Sequence, residues 1–265
     1  MNIYRYELKS LLKSTLIWSG SMIFLSFIYF SVYGSISEDI MDFKSLLEGY
    51  PESVRAMLGV SLDNIASILG FYSMILTFVV LCGGIQGMIY GTSILSKENR
   101  EKTADFLLVK PVSRTAIVTS KICAALSMLI FTSIIYYVGV FIIANIVKTT
   151  DYSNKMFFMM NLTVLLIQVI FFAIGLFVSV LIPRLKSVLP ISLGIVFGLY
   201  ILGAVIAKDK EDVTRYISPF RYVNYSDLLN TGKYEIRYFI TAIIIILVSI
   251  IASYFIYIKR DIHAV

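Results

Sequence analysis

Six stretches of this 265-residue chain contain no Asp, Glu, Lys or Arg: 14–37, 64–96, 122–147, 156–183, 187–207 and 238–258. The shortest has 21 residues, and about 20 mainly apolar residues carry an α-helix across the hydrocarbon of a bilayer. Inside a bilayer every backbone N–H and C=O must be satisfied within the protein, so runs of this length form helices. Only 15% of the residues are charged and 58% are hydrophobic, whereas a soluble domain carries roughly 25% charged residues. The longest intervening segment, 208–237, has 30 residues, below the about 50 that the smallest separate domains need. The expected fold is an all-α membrane protein with a single transmembrane domain over 1–265. Its spans lie near 15–36, 66–95, 122–147, 157–182, 188–207 and 238–258.

The charges between the spans set an orientation. With both termini in the cytoplasm, the inside segments hold 13 Lys/Arg against 5 Asp/Glu, and the outside segments hold 10 against 12. Basic residues are enriched in short cytoplasmic loops, so the expectation is a multi-pass protein of the cell membrane with N-in and C-in topology. The net charge of +6 follows from that bias, and no basic, aromatic-interleaved surface for nucleic acid is present. Residues 5–36 begin with Arg5, Lys9 and Lys13 as a signal peptide would, but the apolar run is long and five more spans follow, so it reads as an uncleaved first span. The two cysteines, Cys82 and Cys123, fall at or inside spans and read as small buried apolar residues.

Residues 2–13 place Tyr4, Leu8, Leu11 and Leu12 on one helical stripe and Arg5, Lys9 and Lys13 on another. That pattern predicts an amphipathic helix over 1–14 lying in the cytoplasmic interface. The acidic outer loop 38–63 carries enough apolar residues, Phe43, Leu46 and Leu47 among them, for short surface helices. Span 2 ends in a stretch where Gly83, Gly87 and Gly91 share a face, and span 5 repeats the spacing at Gly194 and Gly198. Small residues four apart let another helix approach closely, either within the chain or from a second one. A tight turn, Pro183 to Pro190, links spans 4 and 5. The outer segment 208–237 holds Ile217, Pro219, Phe220, Tyr222, Tyr225, Leu228 and Leu229, which sit poorly in water. It is expected to fold back onto the membrane, and a re-entrant pair of short helices is one form open to it, provided protein covers its backbone.

Several chemistries are excluded. The spans hold no ionisable Asp, Glu, Lys or Arg, which argues against a proton- or ion-coupled carrier and against intramembrane aspartyl proteolysis. The single histidine is His263, so no zinc site, Ser-His pair or haem ligand pair is expected, and no catalytic or metal-ligating residue is assigned. A phosphate-binding loop is missing: Gly232-Lys233 is followed by Tyr234 and lacks the first glycine. This chain is therefore not an ATPase or other enzyme by itself and is expected to bind no cofactor. The polar residues left in the spans are Gln86, Asn145, Asn161 and Gln168, which can line a cavity or bond helix to helix.

The one informative loop runs from 97 to 114. Glu98, Glu101 and Asp105 follow helical spacing, and Lys97–Glu101 and Glu98–Lys102 form i,i+4 pairs. Phe106, Leu107 and Leu108 make an apolar tip, Pro111 stops the helix, and Ser113 is placed to cap the next one. An apolar anchor ringed by charges is how a small docking element binds a partner.

The residues Glu98, Lys102-Thr103-Ala104-Asp105-Phe106-Leu107-Leu108, Pro111-Val112-Ser113-Arg114 and Lys121 resemble the loop between spans 2 and 3 in permease subunits of ATP-binding-cassette exporters of the type-2 permease class. Lys102 stands where many members have Gly, and Val109-Lys110 where Ser is frequent. Ser218-Pro219-Phe220-Arg221-Tyr222, with Asp227 to Gly232, resembles the Ser-Pro-Phe motif of the last outer loop in bacterial members, and the leader resembles the family's connecting helix.

The resemblance implies a mechanism. Two such subunits pair as a homo- or heterodimer in the lipid bilayer, and each docks a separate cytoplasmic ATPase, on which ATP and Mg bind. The 98–108 segment acts as a coupling helix: Glu98, Glu101, Asp105 and Leu107 contact the ATPase, while Thr103 and Pro111 shape the helix. ATP-driven closure then moves spans 2 and 5 around a central cavity. A cavity without fixed charges suits an amphipathic or hydrophobic cargo such as a peptide, drug or lipid-like molecule. Two other readings stay open on the residues alone. One is a non-transporting anchor or assembly protein whose 97–121 loop docks a cytoplasmic partner. The other is a passive channel, which would normally show polar or charged rings that these spans lack.

Overall fold

The structure is a computed structural model and describes residues 3–51, 54, 55, 58, 59, 62, 64–101, 113–148, 151–182, 185–206 and 212–259. Helices account for the described fold: α1 (Ile3–Glu38), α2 (Ile40–Glu48), α3 (Ile68–Glu101), α4 (Arg114–Val147), α5 (Asn154–Leu181), α6 (Val188–Ile206), α7 (Tyr225–Thr231) and α8 (Ile236–Lys259). Two 3-10 turns, Asp212–Ile217 and Pro219–Arg221, precede α7. No strand occurs among the described residues. Six helices, α1, α3, α4, α5, α6 and α8, are long and apolar enough to cross a membrane, as the six charge-free stretches predict.

The helix ends differ from the apolar runs, for a physical reason. Hydropathy marks the part of a helix inside hydrocarbon, whereas hydrogen bonding continues wherever nothing interrupts it. Thus α1 runs unbroken from Ile3 through the first span, and no boundary near residue 14 separates the leader from it. Leu12 is 41% exposed, while Tyr4, Leu8 and Leu11 turn toward the bundle. Likewise α3 starts at Ile68 and continues past residue 95 to Glu101. Residues 97–101 therefore belong to the end of α3 and do not begin a separate helix. Ser113 caps α4, its Oγ accepting from the Ala116 N–H at 3.2 Å, so this helix starts eight residues ahead of the predicted span.

The centre of the bundle is the pair α3 and α5. In their most apolar windows 67% and 61% of residues are buried, against 28% or less in the other four spans. Close approach requires the glycines. A Cβ at Gly87 would strike the carbonyl oxygen of Gln168, and one at Gly91 the carbonyl of Phe172. From the other side, a Cβ at Gly175 would lie 2.7 Å from the carbonyl oxygen of Met88. Backbone meets backbone, as small residues permit between membrane helices. Around this pair α1 packs on α4, α8 on α5 and α6 on α3.

The start of α1, the end of α3, the start of α4 and the end of α8 meet at one end of the bundle, here the basal end. Lys97 Nζ donates to Ser10 Oγ at 3.0 Å and Arg114 Nη1 to the Ile258 carbonyl at 3.4 Å. The opposite, distal end carries α2, the 3-10 turns and α7.

Candidate functional site

At the basal end the helices flanking the 97–114 segment are fixed to the rest of the bundle. Glu98 and Glu101 lie in the last turn and a half of α3, and Arg114 is the first residue of α4. Lys102, Thr103, Asp105, Phe106, Leu107, Leu108 and Pro111, on which the docking expectation rests, lie outside the described residues. Above the loop, Lys121 of α4 is 1% exposed, and its Nζ donates to the Ile94 carbonyl of α3 at 2.7 Å. Glu7 of α1 is 2% exposed and places Oε1 3.5 Å from the same Nζ. Tyr4 OH and Ser127 Oγ, 3.0 Å apart, add a second bond between α1 and α4. Lys97 also stands 5.6 Å over the Tyr6 ring.

Sequence reasoning missed Glu7. A lone acid among Arg5, Lys9 and Lys13 looks like part of a solvated face. The available signal was its register: Tyr4, Glu7, Leu8 and Leu11 recur at three- and four-residue steps, so the carboxylate sits on the apolar stripe. A charge on a buried stripe needs a buried partner.

Deeper in the bundle two polar layers cross it. Gln86 Nε2 donates to Thr132 Oγ1 at 2.9 Å and Gln86 Oε1 accepts from Gln168 Nε2 at 2.9 Å, while Ser133 Oγ donates to Gln168 Oε1 at 2.8 Å. Toward the distal end, Tyr72 OH donates to Asn161 Oδ1 at 2.7 Å and lies 3.1 Å from Tyr136 OH, which meets Ser26 Oγ at 3.0 Å. Together these join α1, α3, α4 and α5. Gln86, Asn161 and Gln168 thus bond helix to helix within the chain. Asn145 bonds locally, to the Phe141 carbonyl and Tyr152 OH.

The glycines divide into two sets. Gly83, Gly87 and Gly91 face α5, and a Cβ on Gly83 would lie 3.2 Å from Gln168 Cγ. Gly194 and Gly198 of α6 face open space within the chain. Their face, with Phe197, Ile201, Leu202 and Val205 exposed beside it, is available to lipid or to another chain. Cys82 and Cys123 are free thiols, and Cys123 is exposed on the surface of the bundle, not buried as expected.

The distal segment folds back into the bundle. Ser218 is fully buried, and its Oγ donates to the Leu199 carbonyl of α6 at 2.8 Å. The Phe220 ring lies 5.1 Å from that of Phe171 and 5.4 Å from that of Tyr200. A Cβ on Gly84, sixteen residues into α3, would sit 3.2 Å from Phe220 Cζ. At 1.5 Å per residue that is about 24 Å from the distal start of α3, and Tyr200 lies about 9 Å short of the distal end of α6. The ring therefore reaches the depth of the spans, in a hairpin of 3-10 turns. Pro219, Tyr222 and Leu228 are buried and Phe220 and Leu229 partly so, whereas Ile217 stays 52% exposed. Arg215 closes the hairpin, bonding Glu235 Oε1 at 2.6 Å and the Arg221 carbonyl at 3.2 Å, with its guanidinium 4.2 Å over the Tyr238 ring. Arg237 Nη2 takes the other oxygen of Glu235 at 3.2 Å. Burial and the neighbouring Arg215 charge pull the Arg221 guanidinium below its ordinary pKa, and burial pushes the Tyr222 hydroxyl up to about 12.

No group of three or more His, Cys, Asp or Glu side chains that could hold a metal is present among the described residues. The described arrangement consists of a basal joint, glycine-packed central helices and a hairpin inserted from the distal end. In comparisons with known proteins, residues 1–262 match the family model described as ABC-2 family transporter protein. Among curated proteins the search returns no match.

Proposed function

The chain belongs to the ABC-2 transporter family across residues 1–262, and from that premise we propose that it is the permease of an ATP-driven exporter, coupled to its motor through the 97–114 segment. It is a multi-pass membrane subunit of an ABC transport system and not the ATPase of that system. In the proposed arrangement both termini and the 97–114 segment face the cytoplasm, where Glu98, Glu101, Asp105 and Leu107 seat against a separate ATPase subunit that binds ATP and Mg. A second permease, a copy or a paralogue, completes the pathway. Amphipathic or hydrophobic cargo fits spans whose polar groups are bonded to one another.

The observation that carries this reading is the unbroken course of α3 from Ile68 to Glu101. A single helix of 34 residues is about 51 Å long, more than the about 30 Å of the hydrocarbon. A displacement of the loop at its end is therefore carried along a stiff element to the glycine face against α5 and to the Phe220 hairpin. Such levers are how nucleotide-driven closure of one subunit becomes rearrangement of another.

The test is purification of the tagged chain from its native membrane in mild detergent. The expected result is a stoichiometric ATPase whose turnover depends on this chain. A well-folded chain recovered without any ATPase overturns the reading and leaves an anchor or assembly role in its place.

A further inference from the structure

We propose that Glu7 and Lys121 are positioning residues for energy coupling: their buried contact joins α1 to the two helices that flank the docking segment, so that a push on the segment moves all three together. The inference rests on the exporter reading above and assigns the joint through which that machine transmits force.

Among the described residues Glu7 and Lys121 are the only charged side chains buried in the protein. The other charged side chains whose burial is described are at least partly exposed, although Arg221 in the distal hairpin keeps its Nη1 buried, and the cost of burying an ion keeps such cases few. The two are placed symmetrically about the segment. Ile94, whose carbonyl accepts from Lys121, lies seven residues before the end of α3, and Lys121 lies seven residues after the start of α4. Each is therefore about 10 Å, two helical turns, from the loop. One ammonium thus spans α3 and α4 at a common height, and Glu7 adds α1 to them at 3.5 Å. Of the other contacts of α1 near this end, Lys97 to Ser10 is exposed, Tyr4 to Ser127 is part-buried, and Thr15 to Tyr90, two turns above Glu7, is buried at 2.9 Å but carries no charge.

A buried ion pair is a poor way to gain stability, because an apolar pair of the same shape often does as well. It is a good way to fix register, since any sliding of α1 against α4 separates the charges in a medium that punishes separation. That distinction separates a coupling role from a merely structural one. The chain contains a single tryptophan, Trp18. It lies on α1 three turns above Glu7 and packs against the core, so its fluorine signal reports how α1 sits against the neighbouring helices.

The experiment uses the chain made with 5-fluorotryptophan, assembled with its unlabelled ATPase in lipid nanodiscs, and follows the fluorine signal of Trp18 on adding ATP and vanadate. Two variants are compared with the parent, Glu7→Gln and the apolar pair Glu7→Leu/Lys121→Met. In the parent, trapped nucleotide is expected to shift the Trp18 signal. In both variants the ATPase stays bound and turns over within about twofold of the parent rate, while the shifted state is populated about tenfold less, in the range typical of coupling between sites. A nucleotide-dependent shift in the variants equal to the parent's overturns the proposal, and so does a parent signal that ignores nucleotide. Failure of both variants to fold also overturns it, because the pair is then a requirement of folding. Failure of the exporter reading looks different: no ATPase assembles with the parent at all.

Discussion

Gly87 of α3 lies directly against the backbone carbonyl of Gln168 in α5, with no room between them for a methyl group. One turn on, Gly91 meets the Phe172 carbonyl in the same way. Backbone atoms cannot swing aside as a side chain can, so Gly87→Ala forces the two central helices apart. A loss of about 3 kcal/mol is expected, at the upper end of overpacking costs because the obstacle is rigid. The thermal midpoint of the purified chain in detergent reads it directly.

Gly194 and Gly198 give the matching control. Nothing in the chain stands within 4 Å of a Cβ at either position. Alanine there is expected to stabilise the isolated chain by up to about 1 kcal/mol through helix propensity alone. If α6 forms the seam with a second permease, Gly194→Leu/Gly198→Leu lowers the recovered dimer while the monomer keeps its thermal midpoint. Size-exclusion chromatography with light scattering separates the two effects.

The contrast between these two glycine sets shows what a sequence can state about such a fold. Charge-free length finds a span, and four-residue spacing finds a small-residue face, because both are local. Which helix covers that face is a long-range fact: Gly87 meets Gln168, 81 residues away, and no local pattern encodes the pairing. Glu7 was hidden for the same reason, since its burial depends on Lys121. The apolar content of 208–237 announced that the segment would avoid water. Its form, 3-10 turns carrying Phe220 to Gly84, depends on the pocket that α3, α5 and α6 provide together.

That pocket makes Phe220 the side chain that holds the hairpin. Phe220→Ala removes the contacts with Phe171 and Tyr200 and exposes Gly84. A loss of about 3 kcal/mol is expected, the low end for a core phenylalanine because this ring is only partly buried. Ser218→Ala leaves the Leu199 carbonyl with one acceptor bond fewer, at about 1 kcal/mol. Hydrogen exchange over 212–235 is the discriminating readout: faster exchange confined to that segment is expected from Phe220→Ala, with the α3–α5 core unchanged.

The pH response of the Lys148–Asp151 pair can be given a sign. Lys148 Nζ bonds Asp151 Oδ1 at 2.8 Å. That bond and the ammonium charge hold the Asp151 carboxyl below its ordinary 3.8, and raise Lys148 above 10.5. A depressed carboxyl contributes stability present above the unfolded value and lost as pH falls through the folded one, so the acid limb lies below 3.8. A raised ammonium loses its contribution as pH climbs through its folded value, above 10.5. Between these limits the pair is constant. Both groups are open to solvent, where such pairs contribute little, so Asp151→Asn is expected to leave the thermal midpoint at neutral pH unchanged. A carboxyl titration by carbon NMR would place Asp151 below 3.8.

The proposed docking surface is tested by charge. Glu101 ends α3 and Asp105 follows four residues later in the chain. Reversal of both, Glu101→Lys/Asp105→Lys, leaves every span and both polar layers untouched, so the thermal midpoint is expected to hold within error. If these carboxylates face a basic groove on the ATPase, two like-charge contacts replace two favourable ones. Juxtaposing like charges at an interface costs several kcal/mol, so at least about a hundredfold weaker capture of the ATPase is expected. Single reversal of Glu38, which lies at the other end of α1, serves as the control and leaves capture unchanged. Undiminished capture by the double reversal would move the docking surface away from the 97–114 segment, and the remaining basal charges, Arg5, Lys9 and Lys13, would be the next to reverse.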